Sequence, residues 1–157
     1  MPFFVFLSGV KAILDLRTAD QTDRYYHNVI EAGMEYHSIP IDSKATDVHQ
    51  IIASLPRLFE LMDRGNFFMA CAMGRHRTDI AIALYYVFHP TVPVDAVPEM
   101  KGHRNVEKKE FRYDDIAARL NSVMKSMTIE ERDMLGLDAG YETDFKCRKK
   151  HLFEVNS

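Results

Sequence analysis

The chain has 157 residues, enough to bury a sizeable core as one domain, and its 46% hydrophobic and 27% charged residues exclude a disordered chain. A formal net charge of −3 gives no general attraction to nucleic acid, so any preference for anions must be local. Two cysteines, Cys71 and Cys147, are too few for a disulfide framework, and no stretch is long enough to span a membrane. The apolar start, Met1 to Val10, is short and lacks the basic segment and small-residue cleavage site of an export signal, so a cytoplasmic protein is the expectation.

Phe3 to Leu7 suits a short strand, and Lys11 to Leu16 a buried one. A polar loop then leads into a helix from about Thr22 to Ala32, ended by Gly33 as its C-cap. Glu35 to Ile41 alternates like a strand, and Asp42 to Thr46 is a loop. Asp47 or Thr46 can cap a long helix carrying Val48, Ile51, Ile52, Leu55, Leu58, Phe59 and Met62 on one face, with a kink or restart at Pro56. Asn66 to Ala70 reads as a buried strand and Thr78 to Phe88 as an apolar helix stopped near His89-Pro90.

Beyond this point helices are expected alone. Pro93 can open a short one to Lys101, and Glu110 to Met127 carries an apolar stripe of Phe111, Ile116, Leu120, Val123, Met124 and Met127. Thr128 to Glu131 is a capping-box pattern, and Asp144 to Val155 suits a last amphipathic helix. No repeat is visible, and the whole of 1–157 reads as one α/β domain. Its centre is a mostly parallel sheet of about four or five strands flanked by helices, followed by a helical C-terminal half.

The chemistry concentrates in one stretch, Ala70-Cys71-Ala72-Met73-Gly74-Arg75-His76-Arg77-Thr78. Strand, tight loop and helix start together point backbone N–H groups and the positive end of a helix dipole at an anion, for which phosphate is a natural guest. A cysteine at the base of such a loop is favoured as thiolate, a nucleophile in line with phosphorus. Arg77, on the first helical turn, can grip two phosphate oxygens. Gly74 suits a tight cradle, and the Thr78 hydroxyl can donate to the thiolate and so improve it as a leaving group.

Cys71 to Thr78 resembles, throughout, the Cys-x2-Gly-x2-Arg-Thr signature of the cysteine-dependent protein tyrosine and dual-specificity phosphatases. Gly74-Arg75-His76-Arg77-Thr78 is especially similar to the Gly-Lys-His-Arg-Thr of the plant-and-fungal atypical dual-specificity phosphatases. Gly9 to Arg17, with its Asp15-Leu16-Arg17, resembles a strand of the same superfamily and of related bacterial tyrosine phosphatases. The likeness covers roughly Phe4 to Gly102, with residues 103–157 as a helical extension. It implies a phosphatase-like fold and hydrolysis of phosphomonoesters through a phosphocysteine, with no metal or cofactor.

In that scheme Cys71 attacks phosphorus, and Arg77 with the backbone N–H groups of Ala72, Met73, Gly74, Arg75 and His76 binds its oxygens. A carboxylic acid on the loop from Ile41 to Asp47 protonates the leaving group. Asp42 is the choice, with Asp47 the alternative, although Asp47 is better suited to capping the helix. Asp15 and Arg17 are expected to pair and fix neighbouring loops. Arg75, His76 and Arg77 make a locally basic mouth, which favours an inositol phosphate or pyrophosphate over phosphotyrosine, with a phosphorylated protein as the other substrate class. Lys101, His103, Arg104, Lys108 and Lys109 form a basic cluster suited to the pocket entrance or to a solvated face. Cys147 could resolve an oxidised Cys71 if the last helix folds over the loop. The histidines show no metal-ligand spacing.

The chain departs from the family pattern at Ala70, where histidine is usual, and at Asp79, where glycine is usual. It has only Met1 to Ser8 where the family has a strand or hairpin. These departures motivate a rival, a pseudophosphatase that binds phosphorylated partners without turnover. A thiol redox or sulfurtransferase domain is a third possibility, opposed by the Arg77-Thr78 pair and the helix that follows.

Overall fold

The structure, a computed structural model, describes residues 9–17, 23–41, 47–70, 76–100 and 109–153. In chain order these form β1 (Ala12–Asp15), α1 (Asp23–Glu31), β2 (Glu35–Ser38), α2 (Val48–Arg64), β3 (Phe67–Ala70) and α3 (His76–Phe88). A single 3₁₀ turn (Val94–Ala96) leads to α4 (Lys109–Ser126), α5 (Ile129–Leu135) and α6 (Tyr141–Phe153). The class is α/β, as the alternation of strand and helix patterns predicts.

Among the described residues the sheet has three strands, all parallel, in the order β2-β1-β3. One or two of the expected four or five strands therefore find no counterpart there, and Phe3 to Leu7, the expected first strand, lies outside the described residues. The register sets Asp15 level with Ser38 on one side and with Ala70 on the other. Alternate residues of β1 serve opposite faces. Ile13 meets Val29 of α1, while Ala12, Leu14 and Leu16 join the main core with α2, α3, α4 and α6. One helix thus covers one face and the rest stack over the other.

The local signals explain most boundaries. Asp47 Oδ1 accepts the Gln50 N–H at 3.2 Å and caps α2, whose Ile51, Ile52, Leu55, Leu58, Phe59 and Leu61 are buried. Gly33, at φ +78°, ends α1 in a left-handed conformation that a side chain would disfavour. Thr128 and Glu131 form the expected capping box of α5.

Other boundaries need correction. Pro56 neither breaks nor restarts α2, which runs continuously from Val48 to Arg64 with the proline on its exposed face. The proposed helix from Pro93 to Lys101 is only the turn Val94–Ala96. Val97 precedes Pro98 and takes an extended conformation, φ −71° and ψ 115°, because the proline ring disfavours the helical one. The Met100 N–H instead donates to the Leu152 carbonyl at 2.9 Å, tying this segment to α6. That helix begins at Tyr141, three residues before the expected Asp144, because Tyr141 is itself buried against Phe88. The strand expected over Glu35 to Ile41 stops at Ser38, although Ile39 and Ile41 remain buried and bonded to β1 and its exit.

The C-terminal end of α3 is held by two clusters. Arg148 of α6, itself buried, donates to the carbonyls of Tyr86 at 3.0 Å, His89 at 3.3 Å and Val92, while its Nε donates to Asp144 at 3.0 Å. A guanidinium there caps the Tyr86 carbonyl in the last turn, shares the His89 carbonyl with the Val92 N–H, and faces the negative end of the helix dipole. On the other flank, Tyr85 OH donates to Asp63 of α2 at 2.6 Å, and His89 Nε2 lies 2.7 Å from the same carboxylate. The His89 ring stacks on Phe59 with centroids 4.8 Å apart. Partial burial pushes the Asp63 carboxyl upward, but the bonds from Tyr85 and His89 outweigh it, and the net shift is below the ordinary carboxylate range.

Replacing Arg148 by Met takes a donor from three carbonyls, of which only that of His89 keeps another in the Val92 N–H, and is expected to cost about 3 kcal/mol, lowering Tm by roughly 6–12 °C. Thermal unfolding followed by circular dichroism checks this. A depressed folded pKa means that Asp63 stabilises the fold above the unfolded-state value near 4 and ceases to do so as pH falls through the lower folded value. Urea midpoints of wild type and Asp63→Asn should therefore differ at pH 6 and converge toward pH 3. The difference should not exceed about 1 kcal/mol because the carboxylate is half exposed.

Candidate active site

A parallel sheet sends all its strands to the same end, and three chain segments meet there. The Leu16 N–H donates to the Ala70 carbonyl at 2.8 Å, and the Leu16 carbonyl accepts from the Ile41 N–H at 3.0 Å. Ala70 precedes Cys71 and Ile41 precedes Asp42. The residues immediately before the two expected catalytic groups are thus bonded to opposite sides of one residue. Two strand spacings separate their backbones, or about 10 Å. This is also where the strand order reverses, since β2 lies on one side of β1 and β3 on the other. Ligands of open α/β sheets bind in the crevice outside the carboxyl ends of strands at such a reversal.

Cys71, Ala72, Met73, Gly74, Arg75 and Asp42 lie outside the described residues. The backbone of His76 opens α3, two residues before the expected Thr78. Arg77 and Thr78, on its first turn, are half-buried. Asp79 on the same turn is only 3% exposed. Ala70, where the family pattern has histidine, is buried at the end of β3 and level with Asp15. Asp47, the alternative acid, is an exposed N-cap whose carboxylate is turned to the Gln50 amide.

Asp15 and Arg17 pair as expected. Asp15 is fully buried, and its Oδ1 accepts from the Arg17 N–H at 3.1 Å and Nε at 2.9 Å. Its Oδ2 accepts from Arg17 Nη2 at 2.9 Å and from Tyr36 OH at 2.6 Å. Tyr36 went unrecognised in the sequence, where it is only one member of an alternating strand. Its part follows from register, which sets it level with Ile13 on the face that also carries Asp15. The Tyr36 ring packs edge-to-face with Tyr26 of α1, 5.2 Å between centroids.

Cys147, the thiol considered for resolving an oxidised Cys71, is described without its proposed partner, since Cys71 lies outside the described residues. It is exposed on α6 beside Arg148, which grips the C-terminal end of α3. The candidate loop leads into the other end of that 13-residue helix, about 20 Å away. Lys101, His103, Arg104 and Lys108, and the side chain of Lys109, lie outside the described residues. Among the described residues no three His, Cys, Asp or Glu side chains gather as a metal site, and no helix is long and apolar enough to cross a membrane.

Compared with protein-family models, with curated proteins and with solved structures, the chain finds no match. Its site therefore rests on its own geometry.

Asp15→Asn removes the buried charge that the Arg17 fork binds and is expected to destabilise by about 3 kcal/mol. Tyr36→Phe removes one bond to a charged acceptor and should cost about 2 kcal/mol. Urea unfolding of both variants tests whether the carboxylate, rather than the hydroxyl, is the centre of the cluster.

Proposed function

We propose that the chain is a cysteine-dependent phosphomonoesterase of the protein tyrosine and dual-specificity type. The observation that carries this is the double bonding of Leu16 to Ala70 and Ile41, which brings the residues preceding Cys71 and Asp42 to one end of the sheet. The N-terminus of α3 supports it, because a loop entering that helix has amide donors and a positive dipole end to offer a phosphate.

The Cys71 thiolate attacks phosphorus and forms a P–S bond as the ester P–O bond breaks. Asp42 gives its proton to the departing oxygen. A water then attacks the phosphocysteine, passes a proton to the Asp42 carboxylate and releases phosphate, and the thiolate is restored. Arg77 and the amides of Ala72, Met73, Gly74, Arg75 and His76 hold the equatorial oxygens, whose charge spreads in the transition state. Thr78 donates to the sulfur as it leaves. No metal or cofactor enters. The substrate is a phosphorylated protein or an inositol phosphate, met in the cytoplasm.

The finer fold is part of the same proposal. Lys11 and Ala12 N–H groups donate to the Asn66 carbonyl at 2.8 and 3.3 Å, so the preceding chain leaves beside the start of β3. A groove of about 490 Å³, lined by Phe67, Phe68 and Met69 of β3 with Met62, Ile82 and Tyr86, runs along that strand. Phe3 to Leu7 remains the sequence's candidate for a fourth strand of a phosphatase-like sheet.

One observation favours a pseudophosphatase as the second reading. Asp79 is a buried carboxyl on the first turn of α3, close to where a phosphate dianion would sit.

Hydrolysis of an aryl phosphate by wild type and Cys71→Ser, with and without vanadate, separates the two readings. Vanadate-sensitive turnover that Cys71→Ser abolishes is the expected outcome. Asp42→Asn should lower kcat roughly 100-fold, within the range for general acid catalysis, and remove the alkaline limb of the pH profile. Phosphate binding without turnover in the wild type would establish the pseudophosphatase instead.

A further inference from the structure

The C-terminal helices enclose a concavity of about 360 Å³ between α4, α5 and α6. Its floor is apolar, made by the buried side chains of Met124 and Phe145. Its rim is basic. Lys125 comes from α4, Arg132 from α5 and Lys146 from α6, and among the described lining residues Glu142 is the one carboxylate. A further cation stands beside them, because Lys149 Nζ donates to Asn121 of the lining at 2.7 Å and lies 5.1 Å from the centre of the Phe145 ring. Four cations thus face one carboxylate, in a chain whose formal net charge is −3. Cations gathered in one concavity raise each other's energy, and an anion placed among them relieves it. A few charged groups around an apolar floor are also what a small-molecule site consists of. The Arg132–Glu142 pair shows which anion the concavity attracts. Arg132 Nη2 lies 3.6 Å from Glu142 Oε1, too long for a hydrogen bond, and the Glu142 side chain is 70% exposed. Lys149 is set in place by Asn121, which takes one of the three donors of its ammonium.

We infer that this concavity binds a small organic carboxylate with a compact apolar body. Arg132 is its main contact, Lys125, Lys146 and Lys149 add attraction, and Glu142 is an internal competitor that the ligand displaces. The ligand gains over Glu142 by laying apolar surface on Met124 and Phe145, which an exposed glutamate does not do. A guanidinium suits the head group, because its planar fork matches the two carboxylate oxygens. The site shares no residue with the candidate active site and stands whether or not the phosphatase reading does.

The test is calorimetric titration with 2-naphthoate, beside 2-naphthamide, which lacks the charge, and acetate, which lacks the apolar body. The wild type should bind 2-naphthoate roughly tenfold or more tighter than either. Arg132→Gln should weaken 2-naphthoate roughly ten- to a hundredfold, the worth of one hydrogen bond between charged groups, and leave 2-naphthamide unchanged. Glu142→Gln should tighten 2-naphthoate about two- to fivefold, the worth of an exposed ion pair. Glu31→Gln removes the same charge from the exposed surface of α1, on the other face of the sheet, and should change nothing. No binding of 2-naphthoate by the wild type overturns the inference, and so does a loss in Arg132→Gln that falls equally on 2-naphthamide. Equal tightening by Glu142→Gln and Glu31→Gln would reveal attraction to net charge alone and is equally fatal. If Arg132→Gln fails to fold, Lys146→Gln at an exposed position of α6 decides, and an affinity equal to wild type counts against the site.

Discussion

The central strand of a parallel sheet controls where its neighbours end, and here that control comes down to the backbone of Leu16. Its N–H is committed to Ala70 and its carbonyl to Ile41. Backbone groups buried in a core leave no slack, because an unpaired donor or acceptor there costs as much as a lost hydrogen bond. The exits of β2 and β3 are therefore fixed relative to each other by the same ladder that makes the sheet. Side chains on those two exits inherit a separation that no loop has to enforce.

The far end of α3 is fixed by other means. Its body is apolar on nearly every side, with Ala81 and Ala83 allowing close approach and Ile80, Leu84, Val87 and Phe88 filling the core. Such a helix could slide along its axis without exposing much polar surface. Arg148 and the Asp63, Tyr85 and His89 group prevent this by holding particular carbonyls and particular side chains at its C-terminus. A rod anchored at its tail presents its head at a set height, which is what an anion site at its N-terminus requires.

The sequence was most legible where one residue decides the local backbone. Asp47, Gly33 and the Thr128–Glu131 pair each satisfy or permit a particular helix end, and each does so in the structure. It misled where two local rules competed. Pro56 suggested an interruption, but the buried leucines, isoleucines and phenylalanine of α2 hold the helix together across it. Pro93 suggested a helix start, yet Pro98 set the extended conformation of Val97. The early start of α6 at Tyr141 was invisible for a different reason, because it depends on burial against Phe88, far away in the chain. The candidate site was legible as a motif in Cys71 to Thr78 and as a pair in Asp15 and Arg17. The hydroxyl of Tyr36 was not, because only the register of β2 against β1 brings it to Asp15.

The strand order also bears on how the molecule comes to exist. The partner of β1 on one side follows it after a single helix, whereas the partner on the other side, β3, lies more than twice as far along the chain. The shorter closure loses less entropy and is the faster to form. A chain that has joined only β1, α1 and β2 already holds Tyr36 beside Asp15, but it has no crevice, because the second wall is still unfolded. The fold gains its reversal of strand order only when the longer crossover closes. Partly folded molecules of this chain therefore lack the crevice, because the ends of β2 and β3 reach opposite sides of Leu16 only after the sheet is whole.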